Sequence, residues 1–544
     1  VDATVITSSL LLPVLVGLPF LAAILTPVIP QGHNGSLKHG WAVAVLAVLL
    51  LLSLGLLGAG TMTYTLPWLP SFGIQFALGT DAISTTLAVL TTVIALLAGI
   101  ASITSIKENL SLYYSLFFVL VGSLLGVFLS RDLFLFFLMF ELELIPMYLL
   151  IAKWGGPRRQ FAAMKFVLYT LFGSVFLVGS MLALYFLSQG LGANPATIFS
   201  FDSLKSVIAL GDFGLPLQLA LFLGFFIAFA VKLPVVPLHT WLPDAHVEAP
   251  TPISMLLAGI MLKMGGYGLL RFGMEWFPDA AVVMAPILGF LGVVSILYAG
   301  SVAIAQTDMK KLIAYSSVSH MGFVLLALAA LNWIGLTAAL FVMVSHGLVS
   351  AALFMGVGSL YRRTHSRAIA DHAGVAQTMP RLFYFFLFMS MASLGLPLLS
   401  GFAAETLVFY SGAVSQAFSG ISLGLVSLPL SIQGVTVLAG LGVVLSAVYS
   451  LWLVKRLFFS ELNPTCAKLT DLTRSEVAVM ASLSLLVVTL GMAPSLLVNY
   501  VKPALANTAE AYQARLGTPP PSPLALASTA SSSQPSHHAT VAHQ

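Results

Sequence analysis

Charge is what this sequence lacks most. Only 8% of its 544 residues are Asp, Glu, Lys or Arg, and 59% are hydrophobic. Soluble chains carry about 25% charged residues, so a soluble globular protein is excluded. Cysteine is nearly absent. A lone Cys466 excludes an internal disulfide and any iron–sulfur cluster held by this chain alone. No glycine-rich dinucleotide fingerprint follows a soluble strand, so no nucleotide site is expected. No close group of His, Cys and Asp has ligand spacing, so no metal site is expected. The net charge of +4 forms no basic patch for nucleic acid. The start, "VDATVITSSL", has no positive region ahead of its apolar run, and a cleaved signal peptide is not expected. The alternating strands of about 10 residues that a membrane β-barrel needs are missing.

What is present is a succession of apolar runs of about 20 residues, the length of a bilayer-spanning helix. The runs predict an all-α polytopic membrane protein with fourteen segments: 4–29, 41–59, 81–105, 112–130, 132–152, 161–189, 215–240, 251–272, 280–305, 312–330, 334–361, 380–411, 434–459 and 476–500. Segment seven carries Pro234 and Pro237, and segment twelve carries Pro397. Of 23 Lys and Arg, fifteen follow odd-numbered segments, five lie on the opposite side, and Lys165, Lys232 and Lys263 lie within helices. The positive-inside rule therefore puts the odd loops in the cytoplasm or stroma and both termini on the lumenal or periplasmic side. The tail from Gly517, rich in Pro, Ser, Ala and Thr, is too polar and proline-rich to build a core. Its His537, His538 and His543 read as tail residues rather than metal ligands.

Ionisable groups deep in membrane segments are costly and mark function. Candidates are Glu141, Glu143, Lys232, Lys263 and Glu405, with His239, His320 and His346. In "FLMFELELIPMYLL" the two glutamates are about 200° apart on a helix. One is expected to face a functional axis and the other a neighbouring helix or chain. Lys232 lies roughly 10 Å into its segment. Burial opposes its charge and a nearby carboxylate restores it, so a moving partner would make it take up and release a proton. Lys263, in "LLAGIMLKMGGYGLL", has glycines beside it that admit close helix approach and water. Histidine titrates nearest neutrality and suits proton relay. His239 would share a face with Lys232 if that helix continued. Asp244 and His246 are expected at a cytoplasmic mouth. Glu405 follows Gly395, Pro397 and Gly401, so segment twelve also combines an interruption with a buried charge. The five-segment spacing of the two interrupted segments implies an inverted repeat, segments four to eight against nine to thirteen. The chain then divides into 1–105, the repeats 106–275 and 276–462, a last helix in 463–505 and a flexible tail 506–544.

"FFLMFELELIPMYLLIAKWGG", "GFFIAFAVKLPVVPLHTWLPDAHVEAP", "LLAGIMLKMGGYGLLRF" and "KKLIAYSSVSHMGFVLLALA" closely resemble the antiporter-like subunits of complex I. The D subunit of cyanobacterial and plastid complexes, equivalent to bacterial NuoM, is most similar. The resemblance covers roughly residues 80 to 500; the first segments and the tail match poorly. It implies fourteen helices with two inverted five-helix repeats and proton pumping within a multisubunit NAD(P)H or ferredoxin:quinone oxidoreductase of the thylakoid or plastid membrane. Neighbouring antiporter-like subunits would be partners, and NAD(P)H or ferredoxin, iron–sulfur clusters and quinone would act in other subunits. By motif position, five residues before Pro146, Glu141 is the key glutamate, paired with Lys232. Lys263 is the central connecting lysine and Glu405 the exit group. His239, His246, His320 and His346 line the hydrated axis. Divergence in the first third and around "GLPLLSGFAAE" is compatible with a carbon dioxide-uptake variant. Rival readings are a standalone Mrp-type cation/proton antiporter, a membrane-bound hydrogenase pump, and a passive scaffold.

Overall fold

The computed structural model describes residues 3–517, except 212, 424, 425 and 460. Helices α1 (Ala3–Leu25), α2 (Ser36–Gly55), α3 (Ala82–Ser105) and α4 (Leu110–Leu129) open the chain, with an antiparallel hairpin, β1 (Thr63–Leu69) and β2 (Ile74–Gly79), between α2 and α3. Then come α5 (Leu133–Leu142), α6 (Leu144–Trp154), α7 (Arg159–Gly190), the short α8 (Phe201–Leu210), α9 (Leu215–Lys232) and α10 (Trp241–Glu248). A continuous span, Thr251–Met274, follows. Within it α11 (Thr251–Leu256) and α12 (Leu262–Gly268) alternate with π-helical turns at Leu257–Met261 and Leu269–Met274. The remaining helices are α13 (Pro278–Ile304), α14 (Met309–Ala329), α15 (Trp333–Thr364), α16 (Pro380–Ser393), α17 (Ser400–Ala413), α18 (Ile432–Phe458), α19 (Arg474–Met492) and α20 (Ser495–Leu516). A small hairpin, β3 (Ile421–Leu423) with β4 (Val426–Leu428), precedes α18.

Among the described residues, twelve helical spans are long and apolar enough to cross a bilayer. The apolar α1 and the α16–α17 pair account for the other two expected segments. Polar side chains start the helices by accepting orphan backbone N–H groups. Asp81 and Ser84 form a capping box on α3, Asp132 caps α5, Asp308 caps α14, and Thr473 with Glu476 caps α19. The centre is α15 and the Thr251–Met274 span, both wholly buried over their membrane-length windows. The peripheral α7 instead shows Leu168, Phe172 and Val175 to the outside.

Three expectations change. The last segment, 476–500, is two helices, because α19 stops at Met492 and α20 restarts after Pro494. Residues 506–516 belong to α20 rather than to a flexible tail, and the boundary at 505 falls inside a helix. Tyr512 donates to the Met274 carbonyl at 2.8 Å, and Lys502 lies 4.4 Å from the Trp333 ring. These contacts tie α20 across helix ends. The other tail residues, with His537, His538 and His543, lie outside the described residues. Finally, three cations counted as loop charges are buried: Lys38, Arg271 and Lys310.

Candidate functional site

The prolines of segment seven act as expected. α9 ends at Lys232, and the chain turns through Leu233–Thr240 before α10. Proline removes an N–H and clashes with the preceding turn. The freed groups are taken up locally: Trp241 Nε1 donates to the Val231 carbonyl at 2.9 Å, and Val236 N–H to Ser295 Oγ at 3.2 Å. His239 therefore does not continue a helical face from Lys232. It sits in the turn, buried between the rings of Tyr298 and Tyr315, with centroids 5.5 and 6.2 Å away.

Lys232 is 2% exposed and pairs with a fully buried carboxylate. That carboxylate belongs to Glu143, not to the expected Glu141. Glu143 stands at the α5–α6 junction and points at Lys232, whose ammonium also lies 4.9 Å from the Phe140 ring. Glu141 is half-buried and accepts from Ser174 of α7. Glu143 thus takes the pairing expected of Glu141, and Glu141 meets the neighbouring helix α7. Proline offset fixes a position along the helix; the direction that faces α9 is set by packing.

Lys263 is fully buried between the two π-helical turns. Its ammonium donates to the Ala258 carbonyl and, at 2.8 Å, to His346 Nδ1. When Lys263 is an ammonium it only donates, so His346 then accepts at Nδ1 and carries its proton on Nε2. Close approach depends on glycine. A Cβ on Gly265 would lie 2.5 Å from the Leu233 nitrogen, and one on Gly347 would lie 2.8 Å from the Gly259 carbonyl. The His346 and His320 rings are 5.6 Å apart. Both His320 nitrogens face carbonyl oxygens, Ser316 at 2.7 Å and Ser393 at 3.1 Å. A neutral imidazole has one N–H, so only the imidazolium satisfies both.

Beyond the histidines, a cavity of about 20 Å³ lies between His320, His346 and Glu405, with Ser316, Ser345 and Ser393 in its wall. That is room for about one water. Glu405 sits on α17 just past the break, and Gly395 in that break has φ +80°.

The basic face holds Asp244, which pairs with Lys165 at 2.7 Å and Arg158 at 3.6 Å. His246 is not beside it at a mouth. It is fully buried, stacked on Phe354 of α15 with ring centroids 4.4 Å apart. The short α10 folds inward and turns His246 away from Asp244. Among the described residues, Glu143 Oε2, His239 Nδ1, both His246 nitrogens and His346 Nε2 are buried without a protein hydrogen-bond partner. Such atoms normally have partners, so this line carries unused capacity for water. Sequence reasoning missed Glu248, 1% exposed and held by Arg367 at 3.3 Å, and it left Lys165 unassigned. The one available signal was their place beside the motifs, in "DAHVEAP" and "AAMKFV".

Comparison with known proteins agrees with this architecture. The family model described as NADH:quinone oxidoreductase/Mrp antiporter, transmembrane, matches residues 130–431. The chain is 41% identical to NAD(P)H-quinone oxidoreductase chain 4 2 of Thermosynechococcus vestitus, over 89% of each chain. It is 40% identical to NADH-quinone oxidoreductase subunit M of Rhodobacter capsulatus, over 93% of this chain and 98% of that one. It superposes on a chain of respiratory complex I from Thermus thermophilus with TM-score 0.80 at 28% identity, covering 92% of this chain and 99% of that one. The chain belongs to the NADH:quinone oxidoreductase/Mrp antiporter transmembrane family.

Proposed function

We propose that this chain is the proton-translocating D-type membrane subunit of a complex I-like NAD(P)H- or ferredoxin:quinone oxidoreductase. The observation that carries the reading is the line of buried ionisable groups through the membrane interior. It runs from Glu143–Lys232, through Lys263–His346 and His320, to Glu405. A scaffold has no use for such groups, which are expensive in a membrane.

On this reading protons arrive from the cytoplasmic, basic face past Asp244 and Lys165 and reach Lys232 by way of His239. They pass to Lys263 and leave through the histidines and Glu405. Glu143 stabilises the Lys232 ammonium; drawing the pair apart expels the proton toward Lys263. Breaking a buried pair costs about 3–5 kcal/mol. Moving one charge across 100 mV costs about 2.3 kcal/mol, so the pair stores enough. Glu141, on the outer side of α5, faces a neighbouring membrane subunit. Residues 106–275 and 276–462 act as the two inverted halves, and NAD(P)H or ferredoxin, iron–sulfur clusters and quinone work in partner subunits. A thylakoid membrane suits the cyanobacterial relatives, and the Lys and Arg distribution supports lumenal termini.

Lys232→Ala tests the reading in the assembled complex. Electron transfer should continue while protons moved per electron fall. Wild-type stoichiometry in a fully assembled mutant would overturn the assignment. Purification of the chain without quinone-reductase subunits would favour a standalone antiporter.

A further inference from the structure

Two buried lysines, Lys38 and Lys310, stand outside this line, and Lys310 lines a cavity. A cavity of about 390 Å³ opens on the basic face between the ends of α3, α6, α14 and α15 and the α10–α11 turn. Its charged lining is lopsided: Lys107, Lys153, Lys310, Arg362 and Arg367 face only Glu108 and Glu248. Glu248 is already taken by Arg367 and by the Arg158 N–H at 3.0 Å. Arg362 is held on Glu476, yet its Nε is buried without a partner among the described residues. Asp308, close by, caps α14 and lies 3.5 Å from Arg367.

Lys310 is the outlier. It is 2% exposed, and its ammonium donates only to the carbonyls of Ala249 at 2.9 Å and Val247 at 3.5 Å. Among the described residues no carboxylate comes within ion-pairing distance of it. It also sits in the first turn of α14, whose partial positive charge disfavours a cation. Topology explains cations that stay exposed, as Lys107 and Lys153 do. It does not explain one that has lost its water, because a buried charge needs a counter-charge.

We propose that this cavity binds a phosphate group, with Lys310 as its buried anchor and Lys107 and Lys153 at its rim. The excess of cations, the Lys310 ammonium without a carboxylate and the unpartnered Nε of Arg362 suit a multiply charged oxyanion. The group can be free phosphate or the phosphodiester of an anionic lipid headgroup. Its occupation would brace the Val247–Ala249 turn, next to His246.

The test uses the intact, purified complex. In one arm, delipidated complex in neutral detergent is titrated calorimetrically with inorganic phosphate at constant ionic strength. In the other, complex reconstituted with phosphatidylglycerol or phosphatidylcholine is examined by native mass spectrometry for retained lipid. Binding in the first arm identifies free phosphate; selective phosphatidylglycerol retention in the second alone identifies a headgroup. Lys310→Met should weaken binding about tenfold or more, the loss of one buried charge-assisted contact. The exposed pair Lys107→Gln/Lys153→Gln should weaken it about threefold and flatten its salt dependence. If Lys310→Met does not assemble, the rim pair decides. No binding in either arm, or binding unaltered by the substitutions, overturns the proposal.

Discussion

Two carboxylates separated by one leucine have different surroundings because a helix turns about 100° per residue. Glu143 meets Lys232 in the interior, while Glu141 meets Ser174 on an outer helix. Glu143→Gln leaves an ammonium buried without a counter-charge, a loss of about 3–5 kcal/mol. We expect it to lower protons pumped per electron by about tenfold or more in assembled complex. Glu141→Gln keeps the ion pair and should cost no more than about threefold. Proton uptake by inverted membrane vesicles, normalised to electron transfer, checks the order. A larger loss from Glu141→Gln would return the pairing role to that residue. Lys263→Met should also stop pumping, and it should change His346. With the ammonium gone, His346 Nδ1 loses its donor at 2.8 Å, and the ¹⁵N shifts of a labelled histidine should report the altered tautomer. An unchanged spectrum would mean that the contact is not made in the membrane.

At the scale of elements, the interruptions were legible and the widenings were not. Pro234 and Pro237 announced the end of α9, and Gly395 and Pro397 the gap between α16 and α17. Proline and glycine carry their backbone consequences in the residue itself. The π-helical turns around Lys263 have no comparable marker, because they arise from how α11 and α12 meet their neighbours. The β1–β2 hairpin was missed for a related reason. Its strands are short and one is largely exposed, so they lack the long apolar period that identifies the spans. Within the interrupted segment, Gly395 supplies a sharp test. Its φ is +80°, and a Cβ there would lie 2.5 Å from Glu405 Oε2. Gly395→Ala should cost about 1–3 kcal/mol in backbone strain and push Glu405 off its cavity. Pumping should fall while Gly440→Ala, whose Cβ meets nothing within 4 Å, leaves it intact. Equal pumping in the two variants would show that Glu405 tolerates displacement.

For the whole molecule, the face opposite the basic one is tied by charges that cross between helices. Asp81 receives Arg131 at 2.9 Å and also binds Arg271, while Glu275 receives Arg271 at 3.2 Å and Lys205 at 2.7 Å. These arginines and the lysine hold the Asp81 and Glu275 carboxyls below the ordinary carboxylate range, against the opposing effect of burial. Their stabilisation is present above that range and is lost as pH falls through the depressed values. Asp132 has the opposite sign. It accepts the N–H groups of Phe134 and Leu135 at 3.0 Å and of Gln75 at 3.2 Å, joining β2 to α5. Burial nevertheless raises its carboxyl to about 6. The folded protein thus holds this proton more tightly than the unfolded chain does. The resulting stabilisation is complete below the ordinary value of about 3.9 and is lost as pH rises through about 6. Hydrogen exchange of the β1–β2 hairpin, corrected for intrinsic rates, should therefore show protection falling between about pH 4 and pH 7. Asp132→Asn keeps an acceptor at the cap and removes the titration, so its profile should be flat across that range. A wild-type profile equally flat, or one rising with pH, would mean that the three N–H donors outweigh burial and that Asp132 stays ionised in the folded protein.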